Sequence, residues 1–279
     1  MPAVNRDTGL GTTYERVALA RLVEELAARH GIRSVLEGPV DGITGIRGIN
    51  SVPFAQLGAN VEVALADAEE VELARTVWSR LGLAPPATVR QSRGWELDAP
   101  PASFDLVWNF NALPQAPDPE RVLDDMCRAS ARFVLVLVSN TANYGFPIHR
   151  LHHRAAHEPW SHGSPAAMDV RRIERSLSRR GFRTVERLLV DVPWWPDIDS
   201  PIEEVAATFL PPLRGRARAS ARLARYTWTA ADLPYFDPAR RARLEAELSR
   251  HAFIENARWC PLRALFAHHR GVLAERRAA

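Results

Sequence analysis

Lysine is absent from this sequence of 279 residues, so the 36 residues counted as lysine or arginine are all arginines. A chain without lysine has no P-loop lysine, no Schiff-base lysine for pyridoxal phosphate and no lysine for a kinase-type ATP site. The missing side chain therefore excludes several classes of enzyme before any motif is considered.

Cysteine and long apolar runs are scarce as well. Cys127 and Cys260 cannot build a disulfide framework, and neither belongs to a close Cys/His ligand pair. Residues 1–12 lack the apolar segment of a signal peptide. The longest apolar run, residues 133–138, is far shorter than the roughly 20 residues that cross a membrane as a helix. We therefore expect a cytoplasmic protein without structural zinc and without an integral membrane segment.

The overall composition is that of an ordinary globular protein, with 46% hydrophobic and 25% charged residues and a formal net charge of +3. So small a net charge does not indicate nucleic-acid binding. Arginine is concentrated in one segment that lacks both a known nucleic-acid-binding motif and interleaved aromatic residues. We expect a solvated face there or, alternatively, a site for an anionic substrate, and no nucleic-acid partner. The arginines of this segment are Arg214, Arg216, Arg218, Arg222 and Arg225.

A glycine-rich turn near the start of the chain is the most informative stretch. Residues 33–37 predict a buried strand, and residues 38–48 contain four glycines, which let a ligand approach the backbone closely. A predicted helix at 49–57 and a strand at 61–66 follow, and Asp67 comes directly after that strand. Because open α/β sheets bind ligands at the carboxyl ends of their strands, these features predict a nucleotide-type cofactor site. A tight connection without a ligand is the alternative.

Strands and helices alternate through most of the remaining chain. Thr12 and Glu15 predict a capping box at the start of the first helix. This alternation predicts a doubly wound, parallel sheet. The predicted helices lie at 69–81, 119–131 and 168–180, and the predicted strands at 88–91, 104–109, 132–139, 182–190 and 259–269.

The ordered set of motifs resembles the class I S-adenosylmethionine-dependent methyltransferases. The resemblance rests on Val35-Leu36-Glu37 before the glycines, on Asp67 and on Ser103-Phe104-Asp105-Leu106-Val107. It runs from about residue 13 to 190, with a final strand near 262–268. It implies an α/β fold, with a doubly wound, mostly parallel seven-stranded sheet and a helical insertion before the last strand. The implied organisation is a cofactor-binding core at 1–192, a helical insertion or lid at 193–256, and the last strand and tail at 257–279.

The resemblance also implies a cofactor, S-adenosylmethionine, and a role for each motif. In the family, the turn carries the methionine part, the acid after the second strand holds the ribose, and the tip of the fourth strand lies under the sulfonium. Pro39 and Asp41 stand where the family's first motif usually has glycine, so the motif is a variant. The cofactor-binding residues expected by this resemblance are Glu37, Gly38, Gly42, Gly45, Asp67, Trp95, Glu96, Asn109, Phe110 and Asn111.

A long segment rich in histidine and aromatic residues, 141–165, is expected to contribute the acceptor side. We expect residues 144–163, with part of 193–235, to close over the crevice. His157 or His162 would remove the acceptor proton. If the segment is helical, His149, His153 and His157 share one face, which suits a metal; solvated or active-site histidines are commoner, so we predict no metal. The predicted catalytic residues are His162, His157 and Tyr144, and the predicted substrate-binding residues are His153, Trp160, Trp194 and Trp195.

The sequence therefore predicts methyl transfer to an oxygen, nitrogen or carbon of a small molecule, by a chain that is monomeric or a homo-oligomer. One alternative is a catalytically silent protein of the same fold that acts as a binding partner; in that case Trp194 and Trp195 would anchor the C-terminal segments to the sheet. A nicotinamide-dependent dehydrogenase is a second alternative. Gly42, Gly45 and Gly48 give G-x-x-G-x-x-G rather than the dinucleotide pattern G-x-G-x-x-G, and a short-chain dehydrogenase needs a lysine.

Overall fold

The fold is built on a seven-stranded sheet with helices on both faces. The computed structural model describes residues 4–40, 45–83, 88–197, 225–257 and 262–278. The strands, in chain order, are β1 (Arg6–Thr8), β2 (Ser34–Val40), β3 (Asn60–Leu65), β4 (Thr88–Gln91), β5 (Phe104–Phe110), β6 (Ser130–Ser139), β7 (Phe182–Val190), β8 (Thr227–Thr229) and β9 (His269–Arg276).

The large sheet has the order β4-β3-β2-β5-β6-β9-β7. The pairs from β4 through to β6 are parallel, and β9 runs antiparallel to both of its neighbours, β6 and β7. This confirms the predicted doubly wound, mostly parallel seven-stranded sheet, in which β2 is the middle one of the five parallel strands. Side chains of successive residues alternate between its two faces, as the pleat requires.

Helices cover both faces, and each face has its own hydrophobic core. Val35 and Trp108 point into the core formed with the helices at 10–30, 52–56 and 68–80. Leu36 and Val107 point into the core formed with the helices at 119–129 and 170–179. The helices are α1 (Leu10–His30), α2 (Val52–Gln56), α3 (Ala68–Arg80), α4 (Pro119–Ala129), α5 (Gly145–Ala155), α6 (Val170–Arg179), α7 (Pro238–Leu248) and α8 (Arg263–Phe266). No helix within the described ranges is both long and apolar enough to cross a membrane.

The ends of α1 show one confirmed signal and one wrong prediction. Gly31 adopts a left-handed conformation with φ 59° and ends the helix, as its position predicts. The capping box at Thr12 is wrong, because α1 already begins at Leu10. The Thr12 hydroxyl instead donates to the carbonyl oxygen of Thr8, 3.0 Å away.

A small second sheet joins the N-terminal region to the segment before the last strand. β1 and β8 pair antiparallel, with Asp7 opposite Trp228. The indole Nε1 of Trp228 donates to the Thr13 hydroxyl at 2.9 Å. Of the predicted helical insertion at 193–256, residues 198–224 lie outside the described residues, and the remainder contains β8 and α7. The predicted domain boundaries stay predictions.

Two predicted elements in the second half of the chain are corrected. The alternation at Leu262, Ala264 and Phe266 belongs to the short helix α8, and the last strand is β9, at 269–276. Because β9 lies between β6 and β7 and is buried on both faces, its apolar residues are consecutive rather than alternating. The segment predicted as a long connection contains α5, whose buried side chains are mainly histidines.

Candidate functional site

The central strand places an acid near the carboxyl edge of the sheet. Glu37 is buried in β2, and its Oε2 accepts a hydrogen bond from the backbone N–H of Ser51 at 2.9 Å. The Ser51 hydroxyl in turn accepts from the indole Nε1 of Trp108 at 2.9 Å. Burial raises the pKa of the Glu37 carboxyl to about 7, although the hydrogen bonds from Ser51 oppose the shift. This group can therefore change its charge near neutral pH.

The glycines after β2 are packed against protein atoms. A Cβ on Gly38 would lie 2.7 Å from a methyl carbon of Leu97, and one on Gly48 would lie 2.8 Å from a methyl carbon of Leu65. A Cβ on Gly45, which has φ +70°, would overlap the Asp7 carboxylate. Residues 41–44, including Gly42, lie outside the described ranges. Gly45 and Gly48 have positive φ, and a Cβ at each of the three described positions would press on protein side chains, so the glycines have an explanation within the protein itself.

A buried ion pair fixes the far side of this turn. The Arg16 guanidinium donates to Asp7 from Nε at 2.9 Å and from Nη2 at 3.2 Å. The same carboxylate accepts from the N–H of Ile46 at 2.7 Å and from the Tyr235 hydroxyl. Burial and the negative charge of Asp7 raise the pKa of Tyr235. The turn is therefore held by β1, by α1 and by the segment that contains α7.

Asp67, the predicted ribose ligand, is exposed just beyond β3 and caps α3. Its Oδ1 accepts the backbone N–H groups of Glu69 at 2.8 Å and Glu70 at 3.2 Å. The other oxygen, Oδ2, takes part in none of these bonds. One carboxylate oxygen is thus left at the sheet edge after the helix has been capped.

The predicted adenine neighbours follow β4. Trp95 is half-buried and packs against the core on the α4 side of the sheet. Glu96 is exposed and pairs with Arg121 at 3.1 Å. Leu97, which the sequence did not single out, is buried above Gly38. The structure therefore brings the apolar side chain of Leu97 close to β2, and the role of Trp95 and Glu96 as neighbours of the adenine stays a prediction.

The tip of β5 points its three predicted residues in different directions. The Asn109 amide is buried and donates from Nδ2 to the sulfur of Met126 at 3.3 Å, while its Oδ1 has no hydrogen-bond partner within the described residues. Phe110 packs edge-on against His269, with ring centroids 4.6 Å apart. Asn111, at φ 53°, accepts from the N–H and hydroxyl of Ser139, both at 3.0 Å, and so ties β5 to β6.

Sequence reasoning missed a cluster of charged groups beside this tip. His269 Nε2 lies 3.1 Å from Glu15 Oε2 and 4.0 Å from Asp191 Oδ2, and His268 Nδ1 lies 2.9 Å from the same Asp191 oxygen. Burial by itself lowers the pKa of both histidines. The carboxylates outweigh it, raising the pKa of His268 to about 10 and also raising that of His269.

This cluster has little signal in the sequence because its members are far apart along the chain: Glu15 and His269 are separated by 254 positions. The sequence signal that could have found the cluster is the pair of histidines His268 and His269 at the start of the last strand. That strand was predicted too early, at 259–269, so the pair was not placed beside the tip of β5. The topology brings the residues together, since β9 begins where β7 ends. Within the described residues, Nδ1 of His269 is buried without a hydrogen-bond partner.

The predicted aromatic residues meet one another next to this cluster. Trp195 packs edge-on against Tyr14 with ring centroids 5.5 Å apart, and the Tyr144 hydroxyl donates to the carbonyl of Trp194 at 2.8 Å. The Trp194 indole Nε1 donates to His251 Nδ1 at 3.0 Å, while 45% of the Trp194 surface stays exposed. Burial raises the pKa of Tyr144. These contacts fasten the chain after β7 to α1 and to residues beyond α7.

Four predicted residues of the histidine-rich segment come together, and one does not. His149, His153 and His162 are buried, and Trp160 lies edge-on to all three rings with centroids 4.8–5.5 Å away. His157 is exposed and has φ 56°. The four converging side chains form the histidine cluster.

Comparison with known proteins agrees with this geometry. Residues 44–132, from the glycine turn into β6, match the family model described as "Methyltransferase domain". These residues are therefore similar to a methyltransferase domain, and the sheet they belong to has the class I methyltransferase-like order. The matched residues include Asp67 and the tip of β5. A search of curated proteins found no match.

Solved structures resemble this chain in fold over most of its length. Magnesium protoporphyrin IX methyltransferase from Synechocystis PCC 6803, solved with bound SAH, shares 13% identity at a TM-score of 0.53. The alignment covers 95% of this chain and 85% of that one. The [4+2]-cyclase SpnF shares 15% identity at a TM-score of 0.51, with 93% of this chain and 81% of the other covered. At these identities the likeness shows the fold alone.

Proposed function

We propose that the protein transfers a methyl group from S-adenosylmethionine to an oxygen, nitrogen or carbon atom of a small molecule. The observation that carries the proposal is the placement of Glu37, Asp67 and Asn109 toward the carboxyl ends of β2, β3 and β5 in a chain with similarity to a methyltransferase domain. Open α/β sheets bind their ligands at this edge.

The acidic groups at the edge fit the polar groups of this cofactor. The second oxygen of Asp67 is suited to accept hydrogen bonds from ribose hydroxyls, and the Glu37 carboxylate is suited to an ammonium group. Trp95 and Glu96 stay the predicted neighbours of the adenine. When bound, the cofactor supplies a methyl group already activated on sulfur, so the chain must orient the acceptor and remove its proton.

We assign proton removal to His269 rather than to a loop histidine. Glu15 lies 3.1 Å from Nε2 and can hold the ring with that nitrogen protonated, which leaves the lone pair of Nδ1 to accept the proton. Nδ1 is buried and the ring contacts Phe110 at the tip of β5. Among the loop candidates, His157 is exposed and His162 is engaged in the histidine cluster. Their role as base stays the alternative.

A small-molecule acceptor suits the aromatic side chains near that tip. Phe110, Trp195 and the partly exposed Trp194 offer apolar surface, and Tyr144 offers a hydroxyl. Small-molecule sites are mostly apolar with a few polar groups that fix orientation. Residues 144–163 remain the predicted lid.

A binding protein without catalysis is the second candidate. It is favoured by the glycine turn, whose three described glycines all lie against side chains of the protein itself. The similarity in fold to the [4+2]-cyclase SpnF also illustrates that this fold does not fix one reaction.

Calorimetry with S-adenosylhomocysteine, which cannot react, separates the two candidates. The informative variant is Asp67→Ser, because serine still caps α3 but lacks the second oxygen. Two hydrogen bonds to a charged group are together worth about 3 kcal/mol or more, so we expect affinity to fall by at least about 100-fold. Asp118→Ser, at the matching cap of α4, is the control and should bind normally. No heat of binding to the wild-type protein at millimolar ligand would favour the binding protein.

A screen of small molecules for S-adenosylhomocysteine formation then tests the base. We expect His269→Gln to lower turnover at least about 100-fold, as general bases typically contribute, with cofactor affinity unchanged. Because the carboxylates raise the pKa of His269, wild-type turnover should increase with pH over a range displaced upward from that of an ordinary histidine. If His269→Gln kept the wild-type pH profile and turnover were lost in His157→Asn or His162→Gln, the base that removes the acceptor proton would be that loop histidine.

A further inference from the structure

The histidine cluster brings three imidazole nitrogens to one point. His149 and His153 lie four residues apart on α5, and their Nε2 atoms are 3.2 Å apart. His162 comes from the following loop, and its Nε2 lies 3.0 Å from that of His153. All three side chains are buried. One potential ligand atom from each residue lies within 4.8 Å of those of the other two.

Hydrogen bonding by the Nε2 of His153 does not account for both of its imidazole neighbours. An imidazole nitrogen carries either one proton or one in-plane lone pair. The Nε2 of His153 has two imidazole nitrogens within hydrogen-bonding distance, so it can pair fully with one of them only. A cation at the centre would instead accept one lone pair from each ring.

We propose that His149, His153 and His162 bind a divalent transition-metal ion of the zinc type. Imidazole ligands suit zinc, copper, nickel and iron, whereas magnesium and calcium require oxygen ligands. Zinc–nitrogen bonds of about 2.0–2.1 Å at tetrahedral angles place ligand nitrogens roughly 3.3 Å apart. The observed 3.0 and 3.2 Å are within a few tenths of an ångström of that value.

The surroundings support a metal ligand role for His153 in particular. Its Nδ1 is buried, and the nearest acid is the Glu158 carboxylate, 3.8 Å away. A metal on Nε2 places the proton on Nδ1, where a carboxylate partner fixes ring orientation. Trp160 covers the rings and is itself held by a 2.8 Å hydrogen bond from Nε1 to the Gly163 carbonyl.

The ion would tie the loop after α5 back to that helix. The same loop is held to the chain beyond β5, because the N–H of Ser164 donates to the Pro114 carbonyl at 2.7 Å. The site contains none of the residues assigned to the cofactor and does not contain His269; His162 belongs to it and is the base only in the alternative assignment. Metal binding therefore extends the proposed function and can be tested without cofactor or acceptor.

Untagged full-length protein, stripped with a chelator, is titrated with Zn²⁺ and with Co²⁺. We expect one ion per chain by elemental mass spectrometry, the visible absorption of four-coordinate Co²⁺, and a higher melting temperature with Zn²⁺. Losing a residue that only hydrogen-bonds to a metal ligand typically weakens metal binding by roughly 10- to 100-fold. We expect roughly 10-fold for Glu158→Gln, and a larger loss for His153→Gln, which removes a ligand itself. His157→Asn is the matched control in the same segment, because asparagine tolerates its positive φ.

Three results would overturn the proposal. One is the absence of stoichiometric binding by the wild-type protein at micromolar metal. Another is undiminished binding by both His153→Gln and His162→Gln, which would point to the Glu15, Asp191 and His269 group instead. A third is equal loss in His157→Asn. Circular dichroism establishes that the variants are folded. If His153→Gln does not fold, His162→Gln takes its place in the test, because His162 lies outside α5.

Discussion

Asp7 is the residue whose loss should cost the fold most. It is buried and neutralises Arg16, which is buried as well, so Asp7→Asn leaves a guanidinium without its countercharge. We expect the free energy of unfolding in urea to fall by about 3–5 kcal/mol. Glu96→Gln is the control, because its pair with Arg121 is exposed and worth about 1 kcal/mol or less. Equal losses in the two variants would contradict the role given to the buried pair.

Glu37 should make stability depend on pH below neutrality. Its folded-state pKa is about 7 against an ordinary value of 4.5, so between these values the folded state holds a proton that the unfolded state has released. Stability therefore falls as pH rises through this window. Glu37→Gln keeps an oxygen for the Ser51 N–H and should flatten the profile, with a gain of up to roughly 3 kcal/mol above pH 7. Chemical denaturation at several pH values measures the free energy of unfolding of both proteins. The same dependence on pH in Glu37→Gln as in the wild type would refute the prediction.

The loop that completes the histidine cluster depends on close contact with the turn after β5. Gly163 has φ +78°, and a Cβ there would overlap the Pro114 backbone. Gly58 has φ +86° with no heavy atom within 4 Å of such a Cβ. Gly58→Ala should therefore show only the conformational cost of about 1–2 kcal/mol. Gly163→Ala should lose more stability and also bind Zn²⁺ more weakly. Matching losses of stability would mean that the loop moves freely away from Pro114.

Elements with local signals are the ones that sequence predicts well. β4 and β7 have their predicted bounds, and Gly31 ends α1 as expected. α5 was not predicted because its buried face is made of histidines, which carry no apolar periodicity. β9 was placed too early because a strand buried on both faces lacks alternation. The Glu15–His269 pair could not be predicted either, because the two residues meet only once β9 takes its place between β6 and β7.

The whole molecule should be more stable on the acidic side of neutrality than in alkali. His268 has a pKa of about 10 in the fold against 6.5 ordinarily, because the Asp191 charge outweighs burial. The stability from this pair is fully present below pH 6.5 and is lost as pH rises toward 10. Asp191→Asn should reduce the alkaline loss. Chemical denaturation from pH 4 to pH 10 checks this, and an equal alkaline loss in the variant would contradict it.

The position of β9 between β6 and β7 also sets an order of events during protein synthesis. β7 ends at Val190, but its partner begins at His269, so β7 has no neighbour in the sheet until about 80 more residues have been made. At roughly 5–20 residues per second this takes on the order of 4–16 s. Throughout that interval the strand Phe133–Val138 presents an open apolar edge inside the cell. Nascent chains of this protein should therefore require chaperone protection late in translation, after six of the seven strands of the large sheet have already emerged.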